Sequence, residues 1–205
     1  MYSDRVDAGR VLAEAVRERL GGTDASVLGL PRGGVPVAAE VARALAAPLD
    51  VVVVRKLGMP LSPEVAMGAI ASVGGELAVV SNDDVPHDGW QDVLEHETAE
   101  LRRRVREYRG DRPPLDVEGR TVVLVDDGIA TGATMRAAAD AVRTLEPARV
   151  VAAVPVALTG ARQLLGASVD ELICRWFPPT FLGVGQAYAD FTQTTDAEVR
   201  RLLAG

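Results

Sequence analysis

The chain has 205 residues, a formal net charge of −7, 48% hydrophobic residues and only 4% aromatic ones. That length suits one domain with a sizeable core, and the apolar share, rich in alanine and valine, excludes a disordered chain and fits α/β packing. The acidic balance argues against nucleic acid as a non-specific partner, and a single cysteine, Cys174, excludes an internal disulfide or a cysteine-rich metal site.

The start, Met1-Tyr2-Ser3-Asp4-Arg5, leads into an amphipathic segment without the apolar run of a secretory leader. The longest apolar run, 150–158, is interrupted by Pro155 and is too short to span a bilayer. A cytoplasmic chain without a membrane partner is the expectation.

Ser3 or Asp4 can cap a first helix that carries Val6, Leu12, Val16 and Leu20 on one side and stops at Gly21-Gly22. A strand is expected over 25–30, then the turn Pro31-Arg32-Gly33-Gly34, then a helix over 35–47 with Pro36 in its first turn. A second buried strand, 49–54, ends on Arg55-Lys56. Residues 57–66 hold Gly58, Pro60 and Pro63 and are expected to form an irregular loop. Residues 69–73 and 76–81, separated by Gly74-Gly75, suggest a short hairpin.

Residues 88–109 are expected to form one long helix with Trp90, Leu94, Leu101, Val105 and Tyr108 along a stripe. Its arginines at 102, 103, 104, 106 and 109 sit among Glu95, Glu97, Glu100 and Glu107, the pattern of a solvated face or of a surface for a partner or an anionic ligand. His87 and His96 have no partners at metal spacing and suit the surface. A connector with Pro113-Pro114 precedes a strand over 121–125 and an alanine-rich helix over 135–143. A strand over 149–154, a helix over 159–165, a strand over 170–175 and a last helix from about Thr195 to Leu203 complete the chain. Strands alternating with helices imply a mostly parallel sheet with ligands at the strand C-terminal ends. Arg32-Gly33-Gly34, Arg55-Lys56 and Asp126-Asp127 all fall at such ends.

The most informative stretch is 121–135, a valine-rich strand that runs into Asp126-Asp127-Gly128-Ile129-Ala130-Thr131-Gly132-Ala133-Thr134. It places two acids at a sheet edge and a Thr-Gly-Ala-Thr turn on a helix N-terminus. Unpaired N–H groups and the helix dipole make such a turn a seat for a phosphate. Taken singly, these features also fit a solvated strand end and an ordinary helix cap.

Together they resemble the 5-phosphoribosyl-1-pyrophosphate (PRPP) signature of type I phosphoribosyltransferases: an apolar strand, two acids, two or three mostly apolar residues, then Thr-Gly-x-Thr. No Gly-Lys-Ser/Thr follows, so the stretch is not a Walker loop. The resemblance covers about 25–190 and implies that family's α/β fold, a mostly parallel sheet with flanking helices, a small hood and a mobile lid loop. It divides 1–205, a single domain, into a core of about 25–175, a hood from the N-terminal helix and about 176–205, and a helical insertion at about 88–110.

The resemblance implies an Mg²⁺-dependent enzyme that transfers the phosphoribosyl group of PRPP to a small nitrogen-containing acceptor. Ala130, Thr131, Gly132, Ala133 and Thr134 would cradle the 5-phosphate, and Asp126 and Asp127 would meet the ribose hydroxyls, directly or through the metal. Leu30-Pro31-Arg32-Gly33-Gly34 resembles the pyrophosphate loop, most closely the Arg-Gly-Gly of the xanthine-type enzymes. Arg55-Lys56 resembles the Arg-Lys before the mobile loop of the adenine and orotate enzymes, so 57–66 would be the lid. Glu64, inside that lid, is the candidate acid–base group beside Asp127. Trp176 through Gly185 loosely resembles a hood segment of the hypoxanthine enzymes, with Trp176, Phe181 and Leu182 as acceptor-binding candidates and core packing as the rival role. Ala130 stands where 6-oxopurine enzymes carry an aspartate, as in the Ala-Thr-Gly of the adenine enzymes. Residues 2–10 and 184–191 resemble a bacterial branch whose acceptor is generally unassigned. A homodimer is compatible with this reading. The alternative is a PRPP-sensing regulator that binds nucleic acid, resembling pyrimidine- and purine-operon regulators.

Overall fold

The computed structural model describes residues 1–205 apart from Asp83, His87 and Phe181 and the side chains of Pro63 and Glu64. The roles expected of Glu64 and Phe181, and the surface position expected of His87, therefore lie outside the described residues.

Helix α1 (Arg5–Leu20) starts where Asp4 Oδ1 accepts a hydrogen bond from the Asp7 amide, and it buries Leu12, Val16 and Leu20. Strand β1 (Ala25–Gly29) leads to α2 (Gly34–Leu45), β2 (Leu49–Met59), β3 (Ser62–Val73), β4 (Glu76–Ser81) and α3 (Trp90–Arg109). Then come β5 (Thr121–Val125), α4 (Ala133–Arg143), β6 (Arg149–Val156), α5 (Ala161–Leu165), β7 (Glu171–Trp176) and α6 (Asp196–Ala204). The strands form one seven-stranded sheet in the order β4-β3-β2-β1-β5-β6-β7. The pairs β2–β1, β1–β5, β5–β6 and β6–β7 are parallel, and β3 and β4 are antiparallel to their neighbours.

Period-two alternation sends successive side chains of the central strands into different cores. Leu28, Val52, Val122, Leu124 and Val154 pack with Met135, Ala138 and Val142 of α4 on one face. Val27, Val123, Val125 and Ala153 meet α1 and α2 on the other. Val51, Val53, Leu57 and Ile70 meet Leu101 and Tyr108 of α3 and Val199 and Leu203 of α6. Full burial of a valine or leucine stabilises by about 1.5–3 kcal/mol, so β5, with Val122 through Val125 inaccessible, is firmly held. The connection from β1 goes to β2 on one side and that from β5 goes to β6 on the other. The turns after these two adjacent strands therefore open onto one crevice, the usual ligand position in an open parallel sheet.

Residues 57–66 correct the sequence expectation. They are not an irregular loop: β2 runs on to Met59, β3 begins at Ser62, and the strands pair from Val52–Val73 out to Met59–Ser62. Pro60 and Leu61 make the turn, and register shifts at Leu57/Gly58 and Gly58/Met59 absorb the glycine. Proline is compatible with this hairpin because Pro60 lies in the turn and Pro63 at a strand start. Leu61 at the tip is 97% exposed.

Candidate functional site

Val125 ends β5 and two acids follow. Asp127 Oδ2 receives Arg5 Nε at 2.8 Å, while Asp126 Oδ1 accepts the Asp127 amide at 2.8 Å. Burial, and then the charge of Asp127, push Asp126 well above the usual carboxylate range; burial also raises Asp127, with Arg5 opposing. The Tyr188 hydroxyl donates to the Asp127 carbonyl at 2.5 Å. Asp127 is thus tied at its side chain by α1 and at its backbone by the C-terminal segment.

The turn after β1 lies directly against these acids. The Pro31–Arg32 peptide bond is cis. A Cβ on Gly33 would stand 2.1 Å from Asp127 Oδ2, and one on Gly34 would stand 2.5 Å from the Val125 carbonyl oxygen and 2.9 Å from Asp126 Cα. Neither position has room for a side chain, which is the physical reason for two glycines here.

Beyond the acids the chain reaches Thr131, Gly132 in the left-handed region at φ 73°, and the first turn of α4. Gly132 has no side chain with which to cap the helix, and Thr131, Ala133 and Thr134 are exposed. The first amides of α4 thus stand at the mouth of a cavity of about 570 Å³, bounded by this turn, by Lys56 of β2 and by Asn82 after β4. Positive dipole, open amides and a lysine suit an anion.

Arg55 and Lys56 part company because they are neighbours on a strand. Lys56 faces the cavity with Val54, whereas Arg55 faces α3 and pairs with Glu97 at 2.5 Å. Trp176 packs edge-on against Tyr2, with ring centroids 6.4 Å apart, in a cluster with Tyr188 and Val156. Leu182 is 84% exposed. The structure sets Gly33 and Gly34 against Asp126 and Asp127, lines the 570 Å³ cavity with Lys56 and Thr131 through Thr134, turns Arg32 toward Asp196 in a separate space, and pairs Arg55 with Glu97 and packs Trp176 on Tyr2.

Arg5, Tyr188 and Phe191 are the residues that sequence reasoning missed as parts of the site. Arg5 lies 4.0 Å from the Phe191 ring centroid and donates to the Thr192 carbonyl at 2.7 Å. Both ends of the chain carry part of the family resemblance, but nothing in the sequence pairs an arginine on a first helix with an acid so far along it.

Among the described residues no cluster of three or more His, Cys, Asp or Glu side chains could hold a metal unaided. The two adjacent carboxylates, Asp126 and Asp127, are hard oxygen donors of the kind Mg²⁺ takes. No helix among the described residues is long and apolar enough to cross a membrane.

An open, mostly parallel sheet with a glycine turn, paired acids and a helix N-terminus without a side-chain cap at its switch point defines an α/β protein with a polar crevice at the strand ends. Residues 3–175 match the family model described as the phosphoribosyl transferase domain, and the chain belongs to that family. It is 46% identical over 209 residues to a Mycobacterium tuberculosis protein named "Putative phosphoribosyl transferase"; the match covers 99% of this chain but 46% of that one, so the chain spans about half of that relative's length. The crystal structure of TT1426 from Thermus thermophilus superposes with a TM-score of 0.82 at 46% identity, covering 99% of this chain and 97% of the other. A bifunctional protein PyrR from Chloroflexus aurantiacus is 40% identical over 108 residues, 51% of this chain and 55% of its own.

Proposed function

We propose that the chain is a cytoplasmic, Mg²⁺-dependent phosphoribosyltransferase that moves the 5-phosphoribosyl group of PRPP to a nitrogen acceptor and releases pyrophosphate. The observation that carries this reading is the contact of Gly33 and Gly34 with Asp126 and Asp127 beside the open α4 N-terminus. Three cradles of different chemistry meet there, and PRPP has three parts of matching chemistry.

The amides and hydroxyls at 131–134 hold the 5-phosphate. Asp126 and Asp127 accept hydrogen bonds from the ribose hydroxyls and would be the residues that hold Mg²⁺. The backbone at Gly33 and Gly34 admits the pyrophosphate closely, and Arg32 and Lys56 add positive charge. When bound, Mg²⁺ offsets charge on the leaving group. In the transfer the C1–O bond to pyrophosphate breaks, the oxygen keeps the electron pair, the acceptor nitrogen forms the C1–N bond, and its proton passes to a base or to solvent. The β2–β3 hairpin is the cover that keeps water from the reacting C1. Glu64 near its tip is assigned the proton, with Asp127 steadying the ribose.

Leu182 and Phe181 remain the acceptor-contacting candidates, with Trp176 supporting them through its packing on Tyr2. Within the domain plan the hood consists of α1 with the segment from 176, and α3 is the helical insertion. Ala130 can do no acid–base work, so the acceptor is adenine-like, a pyrimidine or a non-nucleobase nitrogen, and hypoxanthine and guanine are poor substrates. The test is pyrophosphate release from Mg²⁺–PRPP across a panel of bases and amines. Efficient turnover of hypoxanthine would overturn the acceptor assignment. Tight PRPP binding without turnover, together with specific RNA or DNA binding, would replace the enzyme by a regulator.

A further inference from the structure

The cavity at the α4 turn is far larger than a phosphate requires. Liquid water takes about 30 Å³ per molecule, so a phosphate group the size of about two or three waters fills a small part of its 570 Å³. The whole space lies within the roughly 300–1,000 Å³ of small-molecule pockets.

What remains is a slot between the sheet and the side of α4, which packs on β3 and β4. Lys56 pairs across the strands with Ala69, and Ala69 with Val80. All three line the cavity, so they stand in one row across β2, β3 and β4. From α4 come Arg136, Ala137 and Asp140. The Arg136 amide donates to the Gly132 carbonyl at 2.8 Å, which sets Arg136 one turn beyond the phosphate seat, and Asp140 follows a turn later. Close packing leaves few voids in a protein; here small side chains on both walls, Ala69 and Ala137, keep one open.

Arg136 and Asp140 stand at the i,i+4 spacing at which opposite charges pair along a helix. No ion pair joins them, and neither side chain has a hydrogen-bond partner among the described residues. The slot thus carries an uncommitted donor fork and an uncommitted acceptor side by side.

We propose that this slot binds a planar nitrogen heterocycle of the 6-aminopurine class, with its ring between Ala69 and Ala137 and its edge on Arg136 and Asp140. A flat ring is the shape that two alanine walls admit. Its edge must offer an acceptor to the guanidinium and a donor to the carboxylate, which only accepts. An adenine edge has both, N7 accepting beside an N6 amine that donates, whereas hypoxanthine turns a carbonyl oxygen toward the same carboxylate. Arg136, Ala137 and Asp140 have no part in the proposed transfer, so the slot does not rest on the transferase reading. A free base and a nucleotide carry the same ring, and the experiment separates the two.

The test is calorimetric titration of adenine into the full chain, alone and with saturating PRPP in the absence of Mg²⁺. Wild type binds adenine about tenfold or more tighter than hypoxanthine, and PRPP leaves adenine bound. Ala137→Leu fills the slot and abolishes adenine binding while PRPP affinity stays as in wild type. Asp140→Asn supplies an amide that donates to the hypoxanthine oxygen, so it narrows the preference for adenine, which a merely structural Asp140 would not do. Circular dichroism and Tm establish that each variant is folded. Tighter binding of adenosine 5-monophosphate than of adenine identifies a nucleotide as the occupant, and weaker binding identifies the free base. A wild-type chain that does not bind adenine, displacement of adenine by PRPP, an unchanged affinity in Ala137→Leu or an unchanged preference in Asp140→Asn would overturn the slot. Adenine binding that Ala137→Leu abolishes, in a chain that turns over no acceptor, would sink the transferase reading alone.

Discussion

Arg5 Nε stands 2.8 Å from Asp127 Oδ2 although 122 residues separate them in sequence. The contact is sheltered, with the two side chains 11% and 14% exposed, and Phe191 covers the guanidinium. Arg5 opposes the effect of burial on Asp127, so the acid at the centre of the crevice is oriented by the first residue of α1. Arg5→Met is expected to destabilise the fold by about 1–3 kcal/mol, because it leaves a charged partner without its hydrogen bond. It should also weaken PRPP binding at least tenfold. Arg5→Lys should recover part of the stability, since it restores charge but not the planar stacking on Phe191. Equal PRPP affinity in wild type and Arg5→Met, measured by calorimetry, would remove Arg5 from the site.

Gly33 and Gly34 invite substitutions with different outcomes. An alanine methyl at 33 meets the end of a side chain, Asp127 Oδ2, whereas at 34 it meets the β5 backbone at Val125 and Asp126. A carboxylate can shift by giving up part of its Arg5 hydrogen bond, but a central strand cannot shift. Gly33→Ala should therefore lose ligand affinity with a moderate drop in Tm, and Gly34→Ala should lower Tm further, by about 1–3 kcal/mol of stability as for other overpacked sites. Matched thermal and binding curves for the two variants check this, and a Gly33→Ala chain with the larger loss of Tm would contradict it.

These contacts mark where the sequence was legible. The strand, the acid pair and the Thr-Gly-Ala-Thr turn are contiguous, so their chemistry and the α/β class could be recognised from order alone. The glycine turn was legible because glycine pairs have few uses at a strand end. Residues 57–66 misled because glycine and prolines weigh against a strand, and only the pairing with β3 shows how a hairpin accommodates them. Arg5, Tyr188 and Phe191 were hidden for a different reason: long-range side-chain contacts leave no periodic trace. The separation of Arg55 from Lys56 was readable in principle from strand alternation, once the strand was known to continue past Val54.

Asp50 and Arg109 form a bidentate pair, Nε to Oδ1 and Nη2 to Oδ2 at 2.9 Å each, with side chains 3% and 5% exposed. Arg109 also donates to the carbonyls of Arg112 and Pro113, so it ties β2, α3 and the connector together. Asp50→Asn removes one charge and strands the other in the interior, which should cost about 3–5 kcal/mol. Because the pair lies away from the crevice, PRPP affinity of the folded fraction should be unchanged. Urea unfolding gives the first number and binding at low temperature the second.

Glu100 supports the arginines of α3 over a wide pH range. Hydrogen bonds from Arg103 and then Arg104 hold its carboxyl down to about 2, from an ordinary value of 4.5. A depressed folded pKa means that the stabilising pair is fully present above the unfolded value and is lost as pH falls through the folded one. The window therefore lies between about 4.5 and about 2, and the arginines keep their partner throughout neutral pH. A carbon-detected NMR titration of the Glu100 carboxyl should give a midpoint well below that of an ordinary glutamate. An ordinary midpoint would mean that the α3 pairs do not persist in solution.

The last expectation follows from the pleat of β2. Lys56 borders the cavity at the α4 turn, while Arg55 turns to the opposite face and docks the hairpin on α3 through Glu97. The two substitutions should therefore fail in different ways. Lys56→Gln removes a charge that faces the ligand, so it should raise the KM for PRPP and leave hairpin mobility as in wild type. Arg55→Gln removes the anchor and leaves Glu97 unpaired in a contact only 26% and 17% exposed. That should loosen the hairpin, speed amide exchange over 57–66 and lower kcat more than it raises KM. Glu97→Gln should reproduce the Arg55→Gln pattern and not the Lys56→Gln one, because it breaks the same anchor from the other side. Steady-state kinetics and hydrogen exchange on the three variants decide the matter. If Arg55→Gln raises KM for PRPP with unaltered exchange and Glu97→Gln is silent, Arg55 contacts the ligand directly and the division of labour across β2 is wrong.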